Sequence, residues 1–124
     1  MMLPAGLVRQ ESERHNTAKE TVAMFNYSFV EEGGTTLIID LEGEFDTTGA
    51  QTVQAALESY NVAAVEKIVF DLAKVTLMAS SGLRVIFYAK DKIRSTMTVE
   101  LKGAQGLVAK VIKMSGIQKF VTVT

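Results

Sequence analysis

The chain contains the stretch Lys67-Ile-Val-Phe-Asp-Leu-Ala-Lys-Val-Thr-Leu-Met-Ala-Ser-Ser-Gly-Leu83. Its continuous apolar run, Ile68-Val69-Phe70, predicts a central strand that is covered on both faces. Ser80-Ser81-Gly82 then precedes an amphipathic helix, whose predicted buried stripe consists of Leu83, Ile86, Phe87 and Ile93. A buried strand followed directly by a helix is the repeating unit of α/β folds.

Upstream of this stretch, alternating apolar residues predict an antiparallel hairpin. Phe25, Tyr27 and Phe29 alternate with polar residues, and a second alternating run contains Leu37, Ile39 and Leu41. The turn signal Glu31-Glu32-Gly33-Gly34 separates the two runs. We expect Gly43 to break the second strand near its end.

The remaining elements complete an alternating pattern. After Asp46-Thr47-Thr48, whose side chains suit a helix start, Thr48 and Gln51 fit a capping box. The next predicted element is a helix buried through Ala50, Val53, Leu57 and Tyr60. After the stretch quoted above, a strand is predicted through Met97, Val99 and Leu101. The last two predicted elements are a helix through Leu107, Val108, Val111, Ile112 and Met114, with Gly116 as its C-cap, and a strand over Phe120-Val123. The order predicts an α/β domain with a mixed, mostly parallel sheet and an N-terminal antiparallel hairpin.

Composition indicates one globular domain. The chain has 124 residues, 48% hydrophobic residues, a formal net charge of −1 and no cysteine. This balance predicts no direct nucleic-acid partner, and the apolar runs are too short for a membrane span. We expect residues 1–23 to be an irregular arm that the fold does not need, and residues 24–124 to form the domain. The arm is either native or the product of a misassigned start, with Met24 as the true first residue.

Four segments resemble the STAS-domain anti-sigma factor antagonists in order and spacing. They are Gly43-Glu44-Phe45-Asp46, Lys67-Ile68-Val69-Phe70-Asp71-Leu72, Val75-Thr76-Leu77-Met78-Ala79-Ser80-Ser81-Gly82-Leu83 and Met114-Ser115-Gly116-Ile117-Gln118-Lys119-Phe120. The resemblance implies the STAS fold and a bacterial, cytoplasmic regulator of transcription. Such a protein binds an anti-sigma factor serine kinase and thereby releases a sigma factor. Phosphorylation ends the binding, and a PP2C-type phosphatase restores it.

The resemblance also identifies candidate site residues. Ser80 holds the position of the family's phosphorylated serine, and a helix start favours an added phosphate. The predicted partner-binding residues are Asp46, Thr47, Ser80, Ser81, Gly82 and Arg84. Five of them have a structural alternative: Ser80, Ser81 and Asp46 as helix caps, Gly82 as a glycine that permits close approach, and Arg84 as a solvated side chain. The chain departs from the family at Ala79, where an aspartate usually precedes the serine pair.

Catalysis is not expected. The only histidine, His15, lies in the predicted arm, and Asp40, Asp46 and Asp71 are dispersed along the chain. The sequence therefore predicts no enzyme, no cofactor and no metal site. An alternative binding function is a STAS module of a lipid-transport or stressosome-like complex that works without phosphorylation. The sequence leaves open whether the chain is a monomer or a weak dimer.

Overall fold

The computed structural model describes residues 9–10, 25–92 and 98–124 of the chain. The strands are β1 (Arg9–Gln10), β2 (Phe25–Glu32), β3 (Thr36–Phe45), β4 (Lys67–Met78), β5 (Thr98–Lys102) and β6 (Thr122–Val123). The helices are α1 (Thr47–Ser59), α2 (Ser80–Lys92) and α3 (Gly106–Ser115), followed by a short 3-10 helix (Ile117–Lys119). Ile93 and Met97, which were predicted to extend α2 and β5, lie outside the described residues.

The strands form one sheet in the order β1-β2-β3-β4-β5-β6. β1 and β2 are antiparallel, as are β2 and β3, whereas β3, β4, β5 and β6 are mutually parallel. The predicted α/β class, the antiparallel hairpin and the mostly parallel sheet are therefore confirmed. β1 adds a short strand within the segment predicted to be irregular. The other residues of that segment lie outside the described part of the chain, so the boundary at residue 24 stays a prediction.

The core confirms the central strand and corrects part of the α2 stripe. Ile68 and Phe70 of β4 are fully buried in the cluster that the helices cover, while Val69 is buried but points away from that cluster. In α2 the buried residues are Gly82, Val85, Ile86 and Ala89. Phe87 was predicted to be core but is 39% exposed, because small and β-branched side chains fill the closely packed side of the helix instead.

The C-terminal elements are only partly as predicted. Val108 and Ile112 of α3 are buried, but Leu107 and Met114 are 69% and 76% exposed because α3 contacts the sheet along one narrow side. Gly116 ends α3 in the left-handed conformation with φ 78°, as expected of a C-cap. Phe120 follows a 3-10 turn rather than opening a strand, so the last strand begins at Thr122.

The start of α1 also differs from the predicted capping box. Asp46, rather than Thr48, occupies the N-cap, and its Oδ1 accepts a hydrogen bond of 2.9 Å from the backbone N–H of Gly49. Just upstream, Gly43 does not end the strand. It lies within β3 at φ 99°, where the pairing with β4 shifts register, and so it accommodates a bulge.

Candidate functional site

The predicted site residues come together at the carboxyl end of the central strands. Phe45 at the end of β3 pairs in register with Met78 at the end of β4. The backbone N–H of Ala79 then donates a 3.0 Å hydrogen bond to the carbonyl oxygen of Phe45. Because these parallel strands end together, the segments that lead into α1 and α2 lie side by side. The two loops that carry the predicted site residues therefore share one edge of the sheet.

Ser80 is the first residue of α2, and its side chain is exposed. The residue before it, Ala79, uses its carbonyl oxygen to accept a 2.9 Å hydrogen bond from the N–H of Gly82. Alanine has no side-chain acceptor for the N–H groups of the first helical turn, which a capping residue would supply. Ser80 therefore presents a hydroxyl to solvent at a helix end that favours negative charge.

Ser81 links the two helices and does not serve as the predicted cap. It lies inside the first turn of α2, where its Oγ is 3.2 Å from Oγ1 of Thr47 in the first turn of α1. The cap position precedes Ser80 and belongs to Ala79, so the cap interpretation of Ser81 is wrong. The Thr47–Ser81 contact instead joins the helix starts at the surface.

An open groove of about 310 Å³ runs between α1 and α2 from this contact. It is lined by Thr47, Ala50, Gln51, Gln54, Ala55, Glu58, Ser81, Arg84 and Val85. Sequence reasoning identified Thr47, Ser81 and Arg84 but missed the polar residues contributed by α1. Gln51, Gln54 and Glu58 follow Thr47 at helical spacing, so they form a polar stripe along α1. This stripe is the feature of the sequence that indicates that α1 lines the groove.

Two of the predicted site residues have clear structural functions. Asp46 is half-buried and caps α1 through one carboxylate oxygen, as its structural alternative predicted. Gly82 is buried against Phe45 and Met78, where it allows α2 to approach the sheet. Thr47, Ser80 and Arg84 are exposed, and Ser81 is half-buried, so these four side chains form the accessible part of the site.

Charge is unevenly distributed along the segment that runs from β2 through α1. Residues 25–66 contain no lysine or arginine. Their carboxylates are Glu31, Glu32, Asp40, Glu42, Glu44, Asp46, Glu58 and Glu66. In this region, burial first and the neighbouring carboxylate of Asp71 second raise the pKa of Asp40 above its usual range.

The neighbouring positions of Asp40 and Asp71 correct the expectation that the carboxylates are dispersed, since the two residues pair in register on β3 and β4. Within residues 25–92 and 98–124, however, no group of three or more His, Cys, Asp or Glu side chains is placed to hold a metal ion. Across the same described ranges, none of the helices combines the length and the apolarity that a membrane crossing requires.

The fold and the arrangement of its helix starts define a small α/β domain of a known class. A family model described as the STAS domain matches residues 27–124. The chain therefore belongs to the STAS-domain family, as the sequence resemblance predicted. A comparison with curated proteins found no match.

Solved structures share this fold at low sequence identity. The anti-sigma factor antagonist SpoIIAA in its unphosphorylated form has a TM-score of 0.69 and 20% identity, covering 79% of this chain and 87% of SpoIIAA. An anti-sigma factor antagonist from Mycobacterium paratuberculosis has a TM-score of 0.72 and 18% identity, covering 87% of this chain and 89% of that one. The Bacillus cell fate determinant SpoIIAA in its phosphorylated form has a TM-score of 0.63 and 19% identity, covering 79% and 90%.

Proposed function

We propose that this chain is an anti-sigma factor antagonist controlled by phosphorylation of Ser80. In its unmodified form it binds an anti-sigma factor serine kinase and so releases a sigma factor. The kinase moves the γ-phosphoryl group of ATP to Ser80 Oγ, which loses its proton, and ADP leaves. The modified chain dissociates, and a PP2C-type phosphatase hydrolyses the phosphate ester to reset the cycle in the bacterial cytoplasm.

The observation that carries this proposal is the position of Ser80. It is exposed, it opens α2, and it lies where the ends of β3 and β4 bring the starts of both helices together. A phosphate there adds roughly −1.5 to −2 charges near neutral pH. The group reaches solvent directly, so the domain accommodates it without disturbing the core, while a partner packed on this surface meets a new charge.

The comparisons support a fold compatible with such a cycle. SpoIIAA has been solved in an unphosphorylated and a phosphorylated form, and this chain shares the fold of both. We propose that the partner contacts Thr47, Ser80, Ser81 and Arg84 on the surface, with Asp46 and Gly82 holding the helix starts beneath them. We further propose that the chain itself is not an enzyme and that its function is binding.

A second function is favoured by one observation, the alanine at position 79. Ala79 precedes the serine pair where an aspartate is usual in the family, so the carboxylate beside the phosphorylated serine is missing. A STAS module of a lipid-transport or stressosome-like complex binds its partner without needing that carboxylate. Under this alternative the same surface binds a transporter ATPase or another copy of the domain.

One experiment separates the two functions. The purified chain is incubated with its cognate anti-sigma kinase and ATP, and mass spectrometry then locates the added phosphate. Phosphate on Ser80 supports the antagonist cycle, whereas phosphate on Ser81 alone refutes the assignment. An unmodified chain that still binds its partner favours the scaffold function.

A further inference from the structure

Arg84 lies one helical turn after Ser80 on the exposed side of α2. Residues four positions apart on a helix are neighbours, with β-carbons about 5–6 Å from each other. Across residues 25–92 and 98–124, the structure records no ion pair or hydrogen bond made by the Arg84 side chain. Its guanidinium is therefore not committed to a carboxylate within the described part of the domain.

The surroundings of Ser80 make this cation important. The neighbouring β3–α1 segment brings Glu44 and Asp46 to the same end of the sheet and contributes no lysine or arginine. Lys74 of β4 pairs in register with Glu42, and its positive charge also attracts the carboxylate of Asp40. A phosphate on Ser80 would thus enter an acidic region in which Arg84 is the cation one turn away on its own helix.

We propose that Arg84 binds the phosphate of phosphorylated Ser80 within the same chain, an inference that rests on the proposed modification of Ser80. A planar guanidinium matches two phosphate oxygens and forms paired charge-assisted hydrogen bonds with them. The unpaired N–H groups at the start of α2 add to the attraction. Arg84 is thereby the residue that makes the acidic surface tolerate the phosphate.

This contact gives the switch two effects on the partner surface. Phosphorylation adds negative charge at Ser80, and it also turns Arg84 from the helix groove, where it lines the wall beside Ser81, towards the phosphate. A partner carboxylate that binds Arg84 in the unmodified chain loses that contact. The release of the partner then depends on the arginine as well as on the phosphate.

The test uses full-length chain with phosphoserine installed genetically at position 80, so that no kinase is needed. Phosphorus NMR follows the second ionisation of the phosphate against pH in the otherwise unchanged protein and in Arg84→Gln, Arg84→Lys and Lys90→Gln. Circular dichroism checks that each variant is folded. Because Arg84 is exposed, its substitution is expected to leave the fold intact.

We expect the Arg84→Gln chain to titrate about 0.2–0.4 pH unit higher than the parent, as an exposed i,i+4 ion pair implies. Arg84→Lys should fall between them, and Lys90→Gln, which removes one charge further along α2, should match the parent. Equal midpoints for parent and Arg84→Gln would overturn the inference, as would an equal shift in Lys90→Gln. A failure of the kinase to modify Ser80 would instead contradict the proposed function. The NMR titration would still test the contact between Arg84 and the phosphate, because the phosphoserine is installed without the kinase.

Discussion

Gly82 in the first turn of α2 lies so close to Phe45 at the end of β3 that a β-carbon on Gly82 would stand 2.7 Å from Phe45 Cδ2. Phe45 in turn stacks on Phe25 of β2, with ring centroids 5.5 Å apart and planes inclined by 11°. A β-carbon added to Gly49 in the first turn of α1 would stand 3.1 Å from Phe25 Cδ2. The stacked rings of Phe25 and Phe45 therefore fix how closely the first turns of α1 and α2 approach the sheet. This distance in turn fixes the positions of Thr47 and Ser80.

This packing predicts that Gly82→Ala destabilises the domain. The added methyl group must push Phe45 or α2 aside, and overpacking of this kind costs about 1–3 kcal/mol. Alanine is otherwise the better helix former by about 1 kcal/mol, so the cost of the clash exceeds any net loss by about that amount. Gly49→Ala is the matched control, since an added β-carbon there meets Phe25 at 3.1 Å and should cost less than the 2.7 Å contact at Gly82. Urea unfolding of both variants tests this, and equal stabilities would contradict the packing argument.

The proposed switch predicts that Ser80→Asp weakens binding to the anti-sigma partner while the domain stays folded. A coupling of about 1–3 kcal/mol is typical of linked sites and corresponds to roughly five- to 150-fold in affinity. Ser80→Ala should bind constitutively and resist the kinase. Calorimetry with the purified partner measures both, and Ser59→Asp at the far end of α1 controls for charge alone. If Ser59→Asp weakened binding as much as Ser80→Asp, the site assignment would fail.

Ala79 allows the missing carboxylate to be restored. Ala79→Asp should stabilise the domain by about 0.5–2 kcal/mol, because a side-chain oxygen before α2 can accept hydrogen bonds from its first turn. It should also speed phosphorylation of Ser80 if the carboxylate assists the reaction. Ala79→Asn separates the effects: it should cap equally well but leave the rate as in the parent. Thermal unfolding and a timed kinase assay provide the readouts, and equal rates for Asp and Asn would assign the benefit to capping.

Replacing Asp40 with asparagine is expected to raise the stability of the domain by an amount that depends on pH. The folded-state pKa of Asp40 is raised above 3.8 by burial and by Asp71, so its ionised form costs stability once the pH exceeds the unfolded value. Asp40→Asn should therefore stabilise the domain at pH 7 by at most about 0.5 kcal/mol, because Asp40 is partly exposed and solvent screens its repulsion with Asp71. Below pH 3.8 the carboxyl is protonated in both states, and the gain should vanish. Unfolding midpoints at pH 7 and pH 3 measure the difference.

Glu100 supplies the control of opposite sign. A 2.6 Å hydrogen bond from the Thr124 hydroxyl and the 2.9 Å contact with Lys67 Nζ lower its pKa below 4.5. The ionised carboxylate of Glu100 stabilises the fold above pH 4.5, the ordinary pKa of the group. This stabilisation is lost as the pH falls through the folded-state pKa of Glu100. Glu100→Gln should lose up to about 1 kcal/mol at pH 7, and the loss should shrink as the pH falls through the folded-state pKa of Glu100. Parallel pH responses in the two variants would contradict these assignments.

Individual residues show where sequence reasoning succeeded and where it could not. Ile68 and Phe70 were placed correctly because a short, fully apolar run has few uses other than a buried strand. Phe87, Leu107 and Met114 were assigned to the core because periodicity marks an apolar face without indicating how much of it a neighbour covers. The pairing of Asp40 with Asp71 depends on strand register, which the separate strand patterns do not specify.

By itself, the sequence determined the order of strands and helices, the mixed sheet and the serine pair at the start of the second main helix, because hydrophobic period and turn residues act locally. Only the tertiary structure decided which side chains meet. It joined Thr47 to Ser81 and set Gly82 against Phe45. These relations connect residues far apart in the chain, and they arise because parallel strands of matching register end at the same edge of the sheet.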